Sequence, residues 1–261
     1  MSEDLVKFED KSDLPAELRQ QFEEQSRENL EGVTPRLPKI ALPTGQSKEF
    51  SIEKFGEEAN QVKTFTGVIL YQTAANAYWA EKFGTGANVP PDCASHDGII
   101  PSTSYNNLQA KTCAECKWSK FGTATGSDGQ KARGKACRNV KRIVVLVQGE
   151  AIPYLMTAPP GSIKSFEEFM INLRKDKRPY WSVASTFTIS TETNATGIKY
   201  PQIHAAVAGY INNPDILKKI SVMRDEWMGV VKQTQFSAAE IPADSAPSGA
   251  EYVPPAGGEE F

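Results

Sequence analysis

The chain has 261 residues, with 39% hydrophobic and 23% charged residues and a formal net charge of −3. That is enough apolar content for one large or two small packed domains. No apolar run approaches the roughly 18 residues of a membrane helix, and the first residues, MSEDLVKFEDKSD, are acidic where a secretory leader is basic and then apolar. A soluble, cytoplasmic protein is expected, with no membrane partner.

Charge is distributed unevenly. Residues 1–32 carry ten acids and four bases; residues 93–142 carry nine bases and three acids; the last 22 residues carry five acids and no base. A basic middle between acidic ends suits contact with a polyanion.

In chain order, residues 1–34 read as an acidic arm with one short helix. Asp13 is placed to cap it, Pro15 suits its first turn, and Leu18 and Phe22 give a narrow apolar stripe. From residue 35 short extended runs follow: RLPKIAL, VKTFTGVILYQ, KRIVVLVQG and IPYLMTA, each bounded by Gly or Pro. A helix is predicted over 161–177, capped by Ser162, with Phe166, Phe169, Met170 and Leu173 on one face. Two more strands, YWSVASTFTIST and IKYPQIHAAVAGYI, flank a turn at Asn194 and Gly197. A last helix runs from Pro214 to about Val231, with Ile216, Leu217, Ile220, Met223 and Trp227 as its buried stripe. Five or more strands with one helix among them predict a mainly β (α+β) fold, an OB-fold-like Greek-key barrel over 35–236 with flanking helices. The Ala/Pro/Ser/Gly-rich, acidic residues 237–261 predict a disordered tail.

Cys93, Cys113, Cys116 and Cys137 are spaced C-x19-C-x2-C-x20-C, and no other cysteine occurs. Two thiolates two residues apart reach one ion from a tight turn, and tetrahedral zinc then takes two more ligands. The intervening residues are too polar for a core of their own, so 93–137 is expected to be an inserted loop region stapled by structural zinc. Whether His96 joins the metal is left open by the spacing. A closed four-thiolate site keeps no position for water and is not catalytic.

Around this segment lie Lys111, Lys117, Lys120, Lys131, Arg133, Lys135, Arg138, Lys141 and Arg142, with Trp118 and Phe121 among them; Tyr78, Trp79, Tyr180 and Trp181 border strands. Cations along phosphates and rings under bases are what a single-strand binder needs. Trp118, set among polar residues, is the ring expected to be exposed. Pro91-Asp92 with Glu115-x-Lys117 superficially matches a PD-ExK nuclease, but Glu115 and Lys117 flank Cys116 in the turn assigned to zinc. Consecutive Ser95, His96 and Asp97 cannot converge as a triad, and no GxxxxGK[ST] phosphate loop occurs. No enzyme is expected.

The runs PPDCASHDG, CAEC and GKACRNVKR, and the block after APPGS, resemble a phage-encoded family of zinc-containing single-stranded-DNA-binding proteins with an OB-fold, over about residues 36–210. The resemblance implies sequence-independent binding of single-stranded DNA in phage replication, recombination or early transcription, in the host cytoplasm. The terminal Glu259, Glu260 and Phe261 resemble the C-terminal peptide with which bacterial and phage single-strand binders recruit replication and repair partners. Proline is absent just before this Phe and the acids are few. The alternative reading is a zinc-ribbon factor that recruits an RNA polymerase, which the acidic N-terminal helix favours. Oligomeric state is not legible in the sequence.

Overall fold

The computed structural model describes residues 15, 18, 21–22, 25–33, 36–43, 47–80, 90–125, 131–193, 199–236 and 240. The chain divides into two compact units, Met1–Arg36 and Leu37–Phe261. In the first, Leu18, Gln21, Phe22 and Gln25 are helical and a 3-10 turn follows over Ser26–Leu30. Leu18 and Phe22 are exposed. The expected cap, Asp13, lies outside the described residues.

The second unit is mainly β, a curled half-barrel sheet with two helices. Its strands are β1 (Lys39–Ala41), β2 (Phe50–Ile52), β3 (Asn60–Val62), β4 (Thr64–Tyr78), β5 (Cys93–Ser95), β6 (Ala124–Thr125), β7 (Lys131–Ala132), β8 (Arg138–Val147), β9 (Tyr154–Ala158), β10 (Val183–Thr193) and β11 (Lys199–Tyr210). The helices are α1 (Pro160–Lys175) and α2 (Pro214–Gln233). The main sheet has the order β11-β10-β4-β8-β9-β1-β2-β3, with β5 on β4, while β6 and β7 form a small ribbon. Among the described residues only the β1–β9 pair is parallel.

β4 is the spine. β8 follows one edge from Gly67 to Ala77, while β10 pairs with 64–68 and β5 with 76–78. Residues 69–75 between those two patches pair with β8 alone, across a bulge at Ile69/Tyr71. At Gly67 the two strands close so tightly that a Cβ would stand 2.7 Å from the Leu146 carbonyl oxygen and from Val145 Cγ1.

The near-continuous apolar runs in β4, β8 and β9 follow from burial of both sheet faces. Ile69, Ile143, Val145 and Met156 pack with Phe166, Phe169 and Leu173 of α1. Their neighbours Leu70, Val144 and Leu155 turn the other way and pack with Ile220 and Val231 of α2. Each fully buried large side chain of this kind stabilises by about 1.5–3 kcal/mol.

Both helices depart locally from expectation. Ser162 does not cap α1; its buried Oγ accepts the Ile203 N–H at 2.9 Å, tying the helix to β11, and Pro160 opens the helix behind Pro159. α2 is capped by Asn213, whose Oδ1 accepts the N–H groups of Asp215 and Ile216 at 2.9 and 3.3 Å. Ile216 is 48% exposed and falls outside the stripe, because its position in the first turn precedes the contact with the sheet. The turn assigned to Asn194 and Gly197 lies outside the described residues. Among those residues no helix is long and apolar enough to cross a membrane.

Candidate metal centre and basic surface

The end of β4 brings the two outer cysteines together. Cys93 opens β5 directly opposite Tyr78, and Cys137 immediately precedes Arg138, which pairs with Ala77 on the other edge. The inner pair sits on a turn fastened to the loop after β5 and, through Trp118, to Cys137. The Cys113 N–H donates to the Ile99 carbonyl at 2.8 Å, and the Cys137 N–H donates to the Trp118 carbonyl at 2.9 Å. All four cysteines line one cavity of about 10 Å³ together with Asn76, Tyr78, Gln109 and Ser119. That is room for about one water or one ion.

The thiols are free, and three are buried; Cys113 is half-buried. Burial pushes Cys137 up to about 12, and the nearby sulfurs of Cys113 and Cys116 push the same way, while a hydrogen bond with Ser119 opposes them. Burial also raises Cys93, against a backbone hydrogen bond from Gln109 that favours its thiolate. As placed, no group of three or more His, Cys, Asp or Glu among the described residues could hold a metal ion. What fits a thiophilic ion is the donor set: four sulfurs on one ion-sized cavity, two of them with hydrogen-bond donors.

His96 lies apart from this cavity. Its Nδ1 is 3.4 Å from Arg142 Nη1, and its ring stacks on Phe236 at 5.6 Å. With Nδ1 as acceptor the proton sits on Nε2, a buried atom with no hydrogen-bond partner among the described residues. Burial first, and Arg142 second, depress its pKa to about 4. Asp92 Oδ2 accepts the Ala80 N–H at 2.7 Å, and Glu115 is exposed on the cysteine turn.

Several residues expected to face DNA are committed inside the fold. Arg142 is 0% exposed; it donates to the Val231 and Thr234 carbonyls at 3.2 and 3.0 Å, and pairs with Glu240 at 3.3 Å. Lys141 is buried and pairs with Glu167 of α1 at 3.3 Å. These two are corrected from phosphate contacts to structural cations. Tyr78 is buried and stacks on Trp118 at 5.0 Å, and Trp118 Nε1 donates to Gln109 Oε1 at 2.8 Å. Trp118 is therefore a half-buried cover packed on the cysteine cluster, not the free ring its polar neighbours suggest. Trp79, Tyr180 and Trp181 are likewise half-buried against the core.

Lys111, Lys117, Lys120, Lys131, Arg133 and Phe121 are exposed. Lys117 lies over the Trp118 ring at 4.5 Å and Lys135 over the Phe121 ring at 4.8 Å. Arg138 is half-buried, and burial lowers its pKa. No family model, curated protein or solved structure matches the chain.

Two features escaped the sequence. Glu240, assigned to a disordered tail over 237–261, is buried and pairs with Arg142 and, at 3.8 Å, with Lys39. The rest of that tail, including Glu259, Glu260 and Phe261, lies outside the described residues. Tyr180 opens onto a cleft rimmed by Arg174, Lys177 and Arg178. The run RKDKR ahead of Pro179-Tyr180 was its available signal.

Proposed function

We propose that the chain is a non-catalytic single-stranded-DNA-binding protein on an OB-fold-like barrel, with a structural zinc held by Cys93, Cys113, Cys116 and Cys137. The observation that carries this reading is the convergence of the four cysteines on one ion-sized cavity at the end of β4. The exposed Lys117, Lys120, Lys131, Arg133 and Phe121 belong to the segment those cysteines would staple. Cations track a phosphate chain, and an exposed ring offers a base about 1–3 kcal/mol of stacking. Binding is then sequence-independent and weakens with salt as counterions are released. Zinc would supply structure alone, drawing the turn and the sheet into one rigid body.

The test pairs metal content with binding. About one zinc per chain is expected, together with preference for oligo-dT over duplex DNA. A protein purified with thiols intact that holds no zinc, or that binds duplex as well as single strand, would sink the reading.

A recruiting role is a second reading, favoured by a different observation. Ile99, Ile100 and Leu108 of the same segment are 64%, 59% and 45% exposed, more apolar surface than phosphate contact requires. An RNA polymerase, or replication or recombination proteins reached through Glu259, Glu260 and Phe261, are the partners this reading implies. Loss of partner capture in Ile99→Ser/Ile100→Ser with oligo-dT binding intact would separate it from the first.

A further inference from the structure

We propose that the cleft below the C-terminal end of α1 binds a phosphate of the single strand, and that Lys177 is kept in a left-handed backbone conformation to serve it. This rests on the single-strand-binding reading and adds a contact far from the cysteine segment. Gln72 on β4 lines the cleft and Tyr78 on the same strand faces the cysteines. Six residues of strand separate them, about 20 Å.

The cleft has a volume of about 670 Å³, the size of sites that take a nucleotide-sized ligand. It opens beside the part of β4 that pairs with β8 alone, between the patches taken by β10 and β5. Gln72, Met170 and Tyr180 line it, and Arg174, Lys177 and Arg178 supply its charge.

Residues 174–178 hold four bases and one acid. The acid is engaged elsewhere: Asp176 Oδ2 accepts the Tyr210 hydroxyl at 3.1 Å. Arg178 is fixed by Asn212 Oδ1 at 2.8 Å and lies over the Tyr210 ring at 5.1 Å. Arg174 and Lys177 have no carboxylate partner among the described residues. Two unneutralised cations beside a fixed guanidinium, an amide and a phenol ring suit a phosphate and its attached nucleoside.

The backbone points the same way. Lys177, with φ of 54°, is the non-glycine residue of positive φ among those described. It stands just past the end of α1, where the left-handed position is ordinarily glycine because a Cβ is strained there. Glycine would close the helix at lower cost, so a lysine in that place is explained by what its side chain does.

Oligo-dT binding by the full chain tests this, with Lys177→Gly as the decisive variant because it relieves strain instead of adding it. Its melting temperature is expected to equal or exceed that of the wild type. Its affinity should fall several-fold, and its salt slope by about 0.7. Arg174→Glu/Lys177→Glu should lose at least about tenfold, while Lys218→Glu on exposed α2 should lose little. Wild-type affinity in both cleft variants overturns the cleft and leaves the single-strand reading standing. Equal losses in Lys218→Glu overturn it too, since net charge alone would then explain them. A wild-type chain that does not bind oligo-dT removes the single-strand reading and the cleft with it.

Discussion

The Arg142 guanidinium on β8 and the Glu240 carboxylate meet at 3.3 Å with both side chains buried. The same guanidinium donates to the Val231 and Thr234 carbonyls at the end of α2 and lies over the Phe236 ring at 4.4 Å. One buried cation thus joins the middle of the sheet, the last turn of the helix and the segment beyond it. Removing one partner of such a pair leaves an uncompensated charge in the interior, at a cost of about 3–5 kcal/mol. Glu240→Gln, and truncation after Phe236, should each lower stability by an amount of this order in urea titrations. A truncated chain as stable as the full one would show that the pair contributes nothing.

Acid should loosen the same region. His96 has a pKa of about 4 in the folded chain, against an ordinary value of about 6.5 when unfolded. The folded state therefore holds the neutral ring, and its contribution is complete above about pH 6.5. It is lost as pH falls towards about 4, because the unfolded chain takes up the proton first. His96→Phe should flatten the stability profile across that window. An unchanged profile would mean that the ring takes up its proton without unfolding.

Gly67→Ala should be destabilising by about 1–3 kcal/mol, as overpacking in a tight core is. The added methyl meets a backbone carbonyl at 2.7 Å, and backbone yields less easily than a side chain. A loss below about 0.5 kcal/mol would mean that β4 and β8 separate freely.

Salt dependence should distinguish exposed from buried cations. On the proposed single-strand reading, neutralising Lys131 and Arg133 together should reduce the slope of binding against salt by about 1.4, some 0.7 per phosphate. Lys141→Met should leave that slope unchanged, because Lys141 is already paired with Glu167. A lower slope in Lys141→Met would place it on the DNA.

If the cysteines hold the zinc proposed above, removing it should be visible in tryptophan fluorescence. Trp118 stacks on Tyr78 and packs with Cys93 and Cys137. A chelator that strips the ion should loosen this packing and shift the emission to the red, and Trp118→Phe should abolish most of the shift. Chelation with no change in emission would separate the tryptophan from any metal.

The cysteine cluster was legible because C-x2-C spacing is local chemistry, and the long strands and both helices were legible from their periodicity. The fate of the charges was not. Lys141 and Arg142 begin an apolar run, and sequence counts them with the basic patch; Glu167 and Glu240, which neutralise them inside the fold, are 26 and 98 residues away. β2, β3 and β5 have three residues each, too short to establish a period of two. Trp118 looked exposed among Lys117, Ser119 and Lys120, but the ring it stacks on is forty residues earlier in the chain.

The placement of Cys93 and Cys137 on opposite edges of β4 also sets an order on synthesis. Cys93 leaves the ribosome 44 residues ahead of Cys137, and chance closure of a loop that long is entropically unfavourable. Pairing of β8 with β4 brings the ends together, so assembly of the cavity waits for the ladder. A nascent chain halted before residue 138 has emerged can form the Cys113–Cys116 turn but not the enclosure around it. The fourth sulfur arrives with the strand that completes the centre of the sheet, which makes the pairing of β8 with β4 and the closing of the cavity one event.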